Sequence, residues 1–257
     1  MDLIWDGFAE AFRLIWNGDP EILGVTILTL IVSGAATLVS LLLGTSGGML
    51  LALARFPGRR FLVSIVNASM GLPPVVVGLW VTIFLWRNGP LGFLRILYTP
   101  WAIIVAQVII ATPIIAGFSI AAIQNLPAKI HLQILALGAS RWQYFRTILK
   151  ETRLGLMAAV IAGFGSVISE IGASMMVGGN IKGYTRVLTT ATAMEVSKGS
   201  FAYAVALSLI LVLLSFSITF VLTMIQQWER RDRQKSLAAS DLKKRTLGVG
   251  QDGGTEI

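Results

Sequence analysis

The chain has 257 residues, 55% hydrophobic and 13% charged, with a mean hydropathy of +0.76. That composition belongs to a polytopic membrane protein and excludes a single soluble domain. Cysteine is absent, which removes disulfides, a thiol nucleophile and thiolate metal sites. The net charge of +8 is of the kind a membrane protein carries in its cytoplasmic loops and does not imply nucleic acid as a partner.

Residues 1–21 hold Asp2, Asp6, Glu10, Asp19 and Glu21 against a single Arg13. Without a basic start or a long apolar core this is not a signal peptide. Leu3, Ile4, Phe8, Ala11, Phe12 and Ile15 recur at helical spacing with Trp5 and Trp16 nearby, which predicts an amphipathic helix in the membrane interface. A first span covers about 22–54, longer than a bilayer needs, so it tilts or emerges. Arg55, Arg59 and Arg60 surround the turn Phe56-Pro57-Gly58. A second span, about 61–86, is interrupted by Pro73-Pro74, which remove two backbone donors and force a kink or an unwound turn. A short polar loop with Arg87 and Arg95 leads to a third span, about 101–123, with Pro113 inside it.

Residues 124–153 are too basic to cross a bilayer, yet too apolar for a solvated loop. Lys129, Arg141, Arg146, Lys150 and Arg153 stand there against Glu151. The pattern reads as a helix over 130–137, a break at Gly138, and a second helix capped by Ser140. That second helix is expected to gather Trp142, Phe145, Ile148 and Leu149 on one face. Such a hairpin at a membrane surface either receives a partner or packs on its own helices and the lipid headgroups.

The fourth span, about 154–177, is rich in small residues such as Gly163, Ser166, Gly172 and Ser174, which let helix backbones approach closely. A polar segment, 178–200, separates it from a fifth span, about 201–227. A basic tail, 228–257, is expected to be largely disordered. Five spans place the termini on opposite sides. One side then carries 15 of the 21 Lys and Arg residues, which assigns residues 124–153 and the C-terminus to the cytoplasm.

The chemistry available is narrow. No phosphate loop of the G-x-x-x-x-G-K-[ST] type is present, so ATP is not hydrolysed here in the usual way. His131 is the one histidine; it is expected to face solvent or a partner and cannot make a metal site alone. Glu170 is the one charge inside a span. It is either a proton relay or a carboxylate hydrogen-bonded to Ser166, Ser169 or Ser174 at a helix interface. No catalytic residue, cofactor or metal is expected.

Gly138-Ala139-Ser140 followed by Ile148 resembles the cytoplasmic coupling loop of binding-protein-dependent ABC importer permeases. The usual Glu-Ala-Ala is replaced by Leu132, Gln133 and Ile134, and the usual Leu-Pro by Lys150-Glu151. Ser169-Glu170, Gly172-Ala173, Met176-Val177 and Gly179-Asn180-Ile181 resemble the molybdate, sulfate and tungstate branch, as does Leu72 to Gly78; residues 175–207 are most similar to tungstate permeases. The resemblance covers about 22–226. It implies an all-α type I ABC permease, a homodimer with a second copy of this chain, a cytoplasmic ATPase dimer and an external binding protein, in a prokaryotic inner membrane. It makes Ile130, Leu132, Leu135, Ala136, Leu137, Gly138, Ala139, Ser140 and Ile148 the loop that couples to the ATPase. The candidate path or gate is Asn67, Ser69, Pro73, Pro74, Thr112, Ser166, Ser169, Glu170 and Gly172, with Ser33, Thr37 and Ser40 as further neutral lining. The expected function is import of a tetrahedral oxyanion, tungstate first and molybdate or sulfate second. A proton-coupled secondary transporter and a non-transporting scaffold are the alternatives of other classes.

Overall fold

A computed structural model describes residues 2–248, and within them the side chains of residues 5–14 and 16–229. Every regular element among them is helical. α1 (Asp2–Trp16) is amphipathic as expected, but its faces are divided differently. Ala11 and Leu14 are buried against the final helix, and Gly7 admits Val205 of that helix. Phe8 and Phe12 stay outside with Trp5 and Trp16, and the Phe12 and Trp16 rings stack at 5.7 Å. The expected grouping of Ala11 with Phe8 and Phe12 is therefore wrong: the small residues make the protein contact and the aromatics are left for the interface. The side chains of Leu3, Ile4 and Ile15 lie outside the described residues.

α2 (Pro20–Leu53) begins at a well-made cap. The Asp19 carboxylate accepts from the amides of Glu21 (2.9 Å) and Ile22 (3.2 Å), and Pro20 occupies the first turn. At 1.5 Å per residue its 34 residues run about 51 Å, well beyond a hydrocarbon core of about 30 Å. Its inward stripe is Val32, Ala36, Ser40, Gly44 and Gly48, one residue per helical turn. This stripe lies against α5 (Pro100–Gln124), where a Cβ on Gly44 would fall 2.9 Å from Ile115 and one on Gly48 2.8 Å from the Ala116 carbonyl oxygen. Small residues repeated every fourth position thus let these two helices pack closely. Ile27, Ile31, Leu38 and Leu42 face outward.

The second expected span is two helices. α3 (Arg59–Ser69) and α4 (Pro74–Leu85) meet at 102°, with the break at Gly71-Leu72-Pro73. A short 3₁₀ turn (Gly92–Leu94) follows before α5. α6 (Ala128–Ala136) and α7 (Arg141–Glu151) form the hairpin, and α7 meets α8 (Arg153–Ile168) at 66°. The fourth expected span is not continuous either: α8 stops at Ile168 and α9 (Gly172–Gly178) starts after Ser169-Glu170-Ile171. α10 (Leu188–Ser197) lies within the polar segment. α11 (Phe201–Gly248) runs on past the expected span end, so residues 228–248 are helical rather than irregular; 249–257 lie outside the described residues. Among the described residues three helices, α2, α5 and α11 to Glu229, are long and apolar enough to cross a membrane, or up to five segments if each bent pair counts as one.

The bundle has two ends. At one, Met49, Ala52 and Leu53 of α2 and Ile123 of α5 pack with the hairpin. Arg59 donates to the Leu51 and Ala52 carbonyls there, and Arg153 meets Glu229 of α11 at 3.3 Å. At the other, Ala11, Ile22, Leu188 and Leu207 join α1, α2, α10 and α11. Glu21 reaches Lys182 at 2.7 Å there, and the Leu188 amide donates to Thr29 Oγ1 at 2.9 Å.

Candidate functional site

The hairpin is built on a small core of its own. Ile123, Ile134 and Ile148 are buried together, with Ile130, Ala139 and Tyr144 packed around them. The chain reverses at Gly138, whose φ of +70° is left-handed and whose α-carbon has nothing within 4 Å of where a Cβ would stand. Ser140 then starts α7 with a capping box: its Oγ accepts from the Gln143 amide, and Gln143 Oε1 accepts from the Ser140 amide at 2.8 Å. His131 Nδ1 and the Tyr144 hydroxyl share a hydrogen bond of 2.8 Å that ties α6 to α7. His131 is half-buried, with one ring nitrogen taken up by that bond. Burial raises the Tyr144 phenol above its ordinary range, so it stays protonated at neutral pH.

The expected coupling residues separate into two groups. Leu132, Leu135, Ala136, Leu137, Gly138 and Ser140 are exposed, Leu137 to 86%, and Trp142, outside the expected set, is exposed beside them at 75%. Ile130, Ala139 and Ile148 turn inward, and Ile148 is fully buried. Ile148 lies beside Phe145, about 60° round the helix, but about 100° from Leu149 and about 120° from Trp142, so it turns inward while those two stay exposed. The hairpin thus presents a leucine-rich surface on a tightly filled support.

The second candidate region is where the helices break. Gly172 admits Val75, since a Cβ there would be 2.5 Å from Val75 Cγ2, and Gly78 faces the Ala173 α-carbon in the same way at 2.6 Å. The start of α4 and the start of α9 therefore lie against each other. Glu170 holds this junction. Its carboxylate is 5% exposed and accepts from the amides of Ala173 (2.6 Å) and Ser174 (2.9 Å) and from the Ser174 hydroxyl (2.7 Å). It caps α9, satisfying donors that a helix start leaves open. Ser174 is the partner among the three serines considered; Ser169 instead bonds back to the Gly165 carbonyl at 2.8 Å.

Two residues that sequence reasoning passed over complete the junction. Gln107 of α5, 2% exposed, donates from Nε2 to the Val167 carbonyl at 3.2 Å, and Thr189 of α10 donates to the Glu170 carbonyl at 2.9 Å. Both satisfy carbonyls freed by the end of α8. A glutamine inside an otherwise apolar span is the signal that could have found the first.

Of the other path candidates, Asn67, Pro73, Pro74 and Ser169 are exposed, and Ser69, Thr112, Ser166 and Gly172 are half-buried. Thr112 bonds back to the Val108 carbonyl at 2.6 Å. No side-chain hydrogen bond joins Asn67, Ser69, Thr112 and Ser166 to one another. Ser33, Thr37 and Ser40 are corrected: all three are buried in α2, and Ser40 bonds to the Val108 carbonyl of α5 at 3.3 Å, so they serve helix packing. Among the described residues no cluster of His, Asp or Glu is placed to hold a metal ion.

An all-helical bundle with broken helices at mid-depth and an exposed apolar hairpin at one end is the type I ABC importer permease fold. The transporter in "Inward facing conformations of the MetNI methionine ABC transporter" has it, with a TM-score of 0.67 at 23% identity over 84% of this chain and 97% of that one. Residues 41–231 match the binding-protein-dependent transport system inner membrane component family, and the chain belongs to that family. It is 37% identical over 227 residues to the tungstate uptake system permease protein TupB of Peptoclostridium acidaminophilum, covering 88% of this chain and 100% of that one. It is 32% identical over 183 residues to the molybdenum transport system permease protein ModB of Escherichia coli K12, covering 67% and 79%.

Proposed function

We propose that this chain is the membrane permease subunit of an ATP-driven importer of a tetrahedral oxyanion, tungstate first and molybdate or sulfate second. The observation that carries it is the 37% identity to a tungstate uptake permease along that protein's whole length. The subunit works as a homodimer in a prokaryotic inner membrane, with a cytoplasmic ATPase dimer and an external binding protein. The hairpin end is cytoplasmic. It carries Arg55, Arg59, Arg60 and all five basic residues of 124–153, while the far end carries six in total. Leu132, Leu135, Leu137 and Trp142 receive the ATPase, and Ile130, Ala139 and Ile148 support them. α8 leaves the hairpin and ends at the Glu170 junction, so a displacement of the hairpin reaches the break through one helix.

Glu170 has a structural role in this reading. Three donors already occupy its carboxylate, which supports a cap over a proton relay. Selectivity rests with the binding protein: apart from Glu170, whose charge repels an anion, the path candidates are neutral. The test is tungstate uptake into proteoliposomes. Uptake is expected only when the ATPase, ATP and the loaded binding protein are all present. Uptake by this chain alone under a proton gradient, abolished in Glu170→Gln, would establish the secondary transporter instead.

A further inference from the structure

The six basic residues at the far end do not share one environment. Arg13 lies 3.7 Å from Glu10, Lys182 and Arg186 lie 2.7 and 3.6 Å from Glu21, and Lys198 lies 2.7 Å from Glu195. Arg87 and Arg95 are different. Among the described residues neither guanidinium has a carboxylate within ion-pair reach or a side-chain hydrogen bond, and residues 86–99 contain no Asp or Glu. Both line a single cavity of about 760 Å³, together with Trp86, Asn88, Phe93 and Tyr98.

The loop that carries them is fixed without using their side chains. The Leu91 amide donates to the Phe84 carbonyl at 2.9 Å, and a Cβ on Gly92 would stand 2.6 Å from the Arg87 carbonyl oxygen. Only glycine admits that approach. Arg95 and Tyr98 both hold positive φ, 52° and 61°, a conformation that costs of order 1–3 kcal/mol at a non-glycine residue and gathers at ligand-holding sites. The Tyr98 amide donates to the Val177 carbonyl at 2.9 Å, which fastens the loop to α9. The cavity therefore sits on the outer ends of α4 and α9, the two helices whose inner ends meet at the Glu170 junction.

We propose that Arg87 and Arg95 form an oxyanion-binding cleft at the outer mouth, where a tetrahedral dianion is first received by the permease. The placement at the outer face rests on the orientation proposed above. Guanidinium groups pair with oxyanions through two parallel donors and are less strongly hydrated than ammonium, which suits this exchange of hydration shell. Two cations without counter-charges in one cleft also raise the local anion concentration. Both are exposed and screened by salt, so the cleft holds its anion weakly and releases it readily. The phosphate of an anionic lipid offers the same chemistry, and the membrane used in the test separates the two sources.

The experiment uses the purified full-length permease in phosphatidylcholine nanodiscs, dialysed at low ionic strength against labelled tungstate. One saturable site per chain is expected, with a dissociation constant on the order of 1 mM. The double variant Arg87→Gln/Arg95→Gln is expected to weaken it by about tenfold or more, roughly 1.4 kcal/mol. Arg87→Lys/Arg95→Lys, which keeps the charge, should retain most of it. Unchanged binding in phosphatidylglycerol discs assigns the cleft to the free anion. Loss of tungstate binding there, with lipid retained by the wild type and not by the Gln variant in native mass spectrometry, assigns it to lipid phosphate and overturns the reception role. Equal tungstate binding by wild type and Gln variant overturns the cleft, as does no saturable binding with no retained lipid. A Gln variant whose only defect is weaker docking of the binding protein makes this a protein contact and also overturns it. Dialysis needs neither ATPase nor binding protein. A chain that binds here yet fails in ATP-driven uptake would refute the transport reading and leave the cleft standing.

Discussion

The unbroken helices α2 and α5 and the broken runs α3–α4 and α8–α9 solve the same problem in opposite ways. The unbroken pair keeps its backbone bonds inside each helix and turns its polar side chains to packing: Thr37 bonds to the Ser33 carbonyl at 2.7 Å and Ser40 to α5. Its spacing is set by glycines that touch backbone. The broken runs leave helix ends within the bundle, and at the α8–α9 break Glu170, Gln107 and Thr189 supply the bonds that a continuous helix would have made. The hairpin is seated on the ends of the first pair and feeds, through α8, into the second. A frame held by close helix contact thus carries a junction held by both glycine contacts and side-chain hydrogen bonds to freed backbone groups.

The largest expected effect is in the frame. Gly48→Leu would drive a side chain into the Ala116 carbonyl and Ser119 Cβ, each within 2.9 Å of the new Cβ, and should abolish recovery of folded protein from the membrane. Monodisperse protein at wild-type yield would show that the pair is not so closely set. Next comes the seat of the hairpin. Gly138→Leu should leave insertion intact but cost about 1–2 kcal/mol of left-handed strain, reducing co-purified ATPase and uptake by about tenfold. Normal capture would separate the turn from coupling.

At the junction, Glu170→Gln leaves at least one amide facing a donor and should lower stability in detergent by about 1–3 kcal/mol, read as an earlier thermal transition. Thr37→Val in the frame, which removes only a bond back to its own helix, should change it by less than about 0.5 kcal/mol. Equal shifts would erase the distinction between the two regions. The smallest perturbation sharpens the frame's direction. Cysteines replacing Lys182 or Lys198 should react from outside with an impermeant reagent, and one replacing Lys150 should not; all three proteins should fold as wild type. The reverse pattern would invert the orientation.

The sequence disclosed the frame more readily than the junction. Long apolar runs and the Lys and Arg distribution speak through composition, and Pro73-Pro74 announces its own break. The second break did not show, because Ser169-Glu170-Ile171 contains neither proline nor a polar run. It arises when a carboxylate three and four residues ahead of Ala173 and Ser174 competes with the helix for their amides. The hairpin was visible as an apolar, basic stretch, yet which leucines and isoleucines face out depends on where α2 and α5 end. For that reason Ile148 was grouped with Trp142 when it belongs to the support. In α1 the pattern gave the helix, but only the position of Val205 reveals that the small face is the buried one.

The turn at Gly138 has a consequence in chirality. Nothing stands near the place a Cβ would take, so crowding does not oppose a side chain there; handedness does, at a modest cost. An L-residue at φ +70° presses its Cβ toward its own carbonyl, whereas for a D-residue that region is the relaxed one. The hairpin therefore turns on a conformation that suits a mirror-image residue, and ribosomal synthesis meets it without strain in glycine, the one amino acid that has no hand.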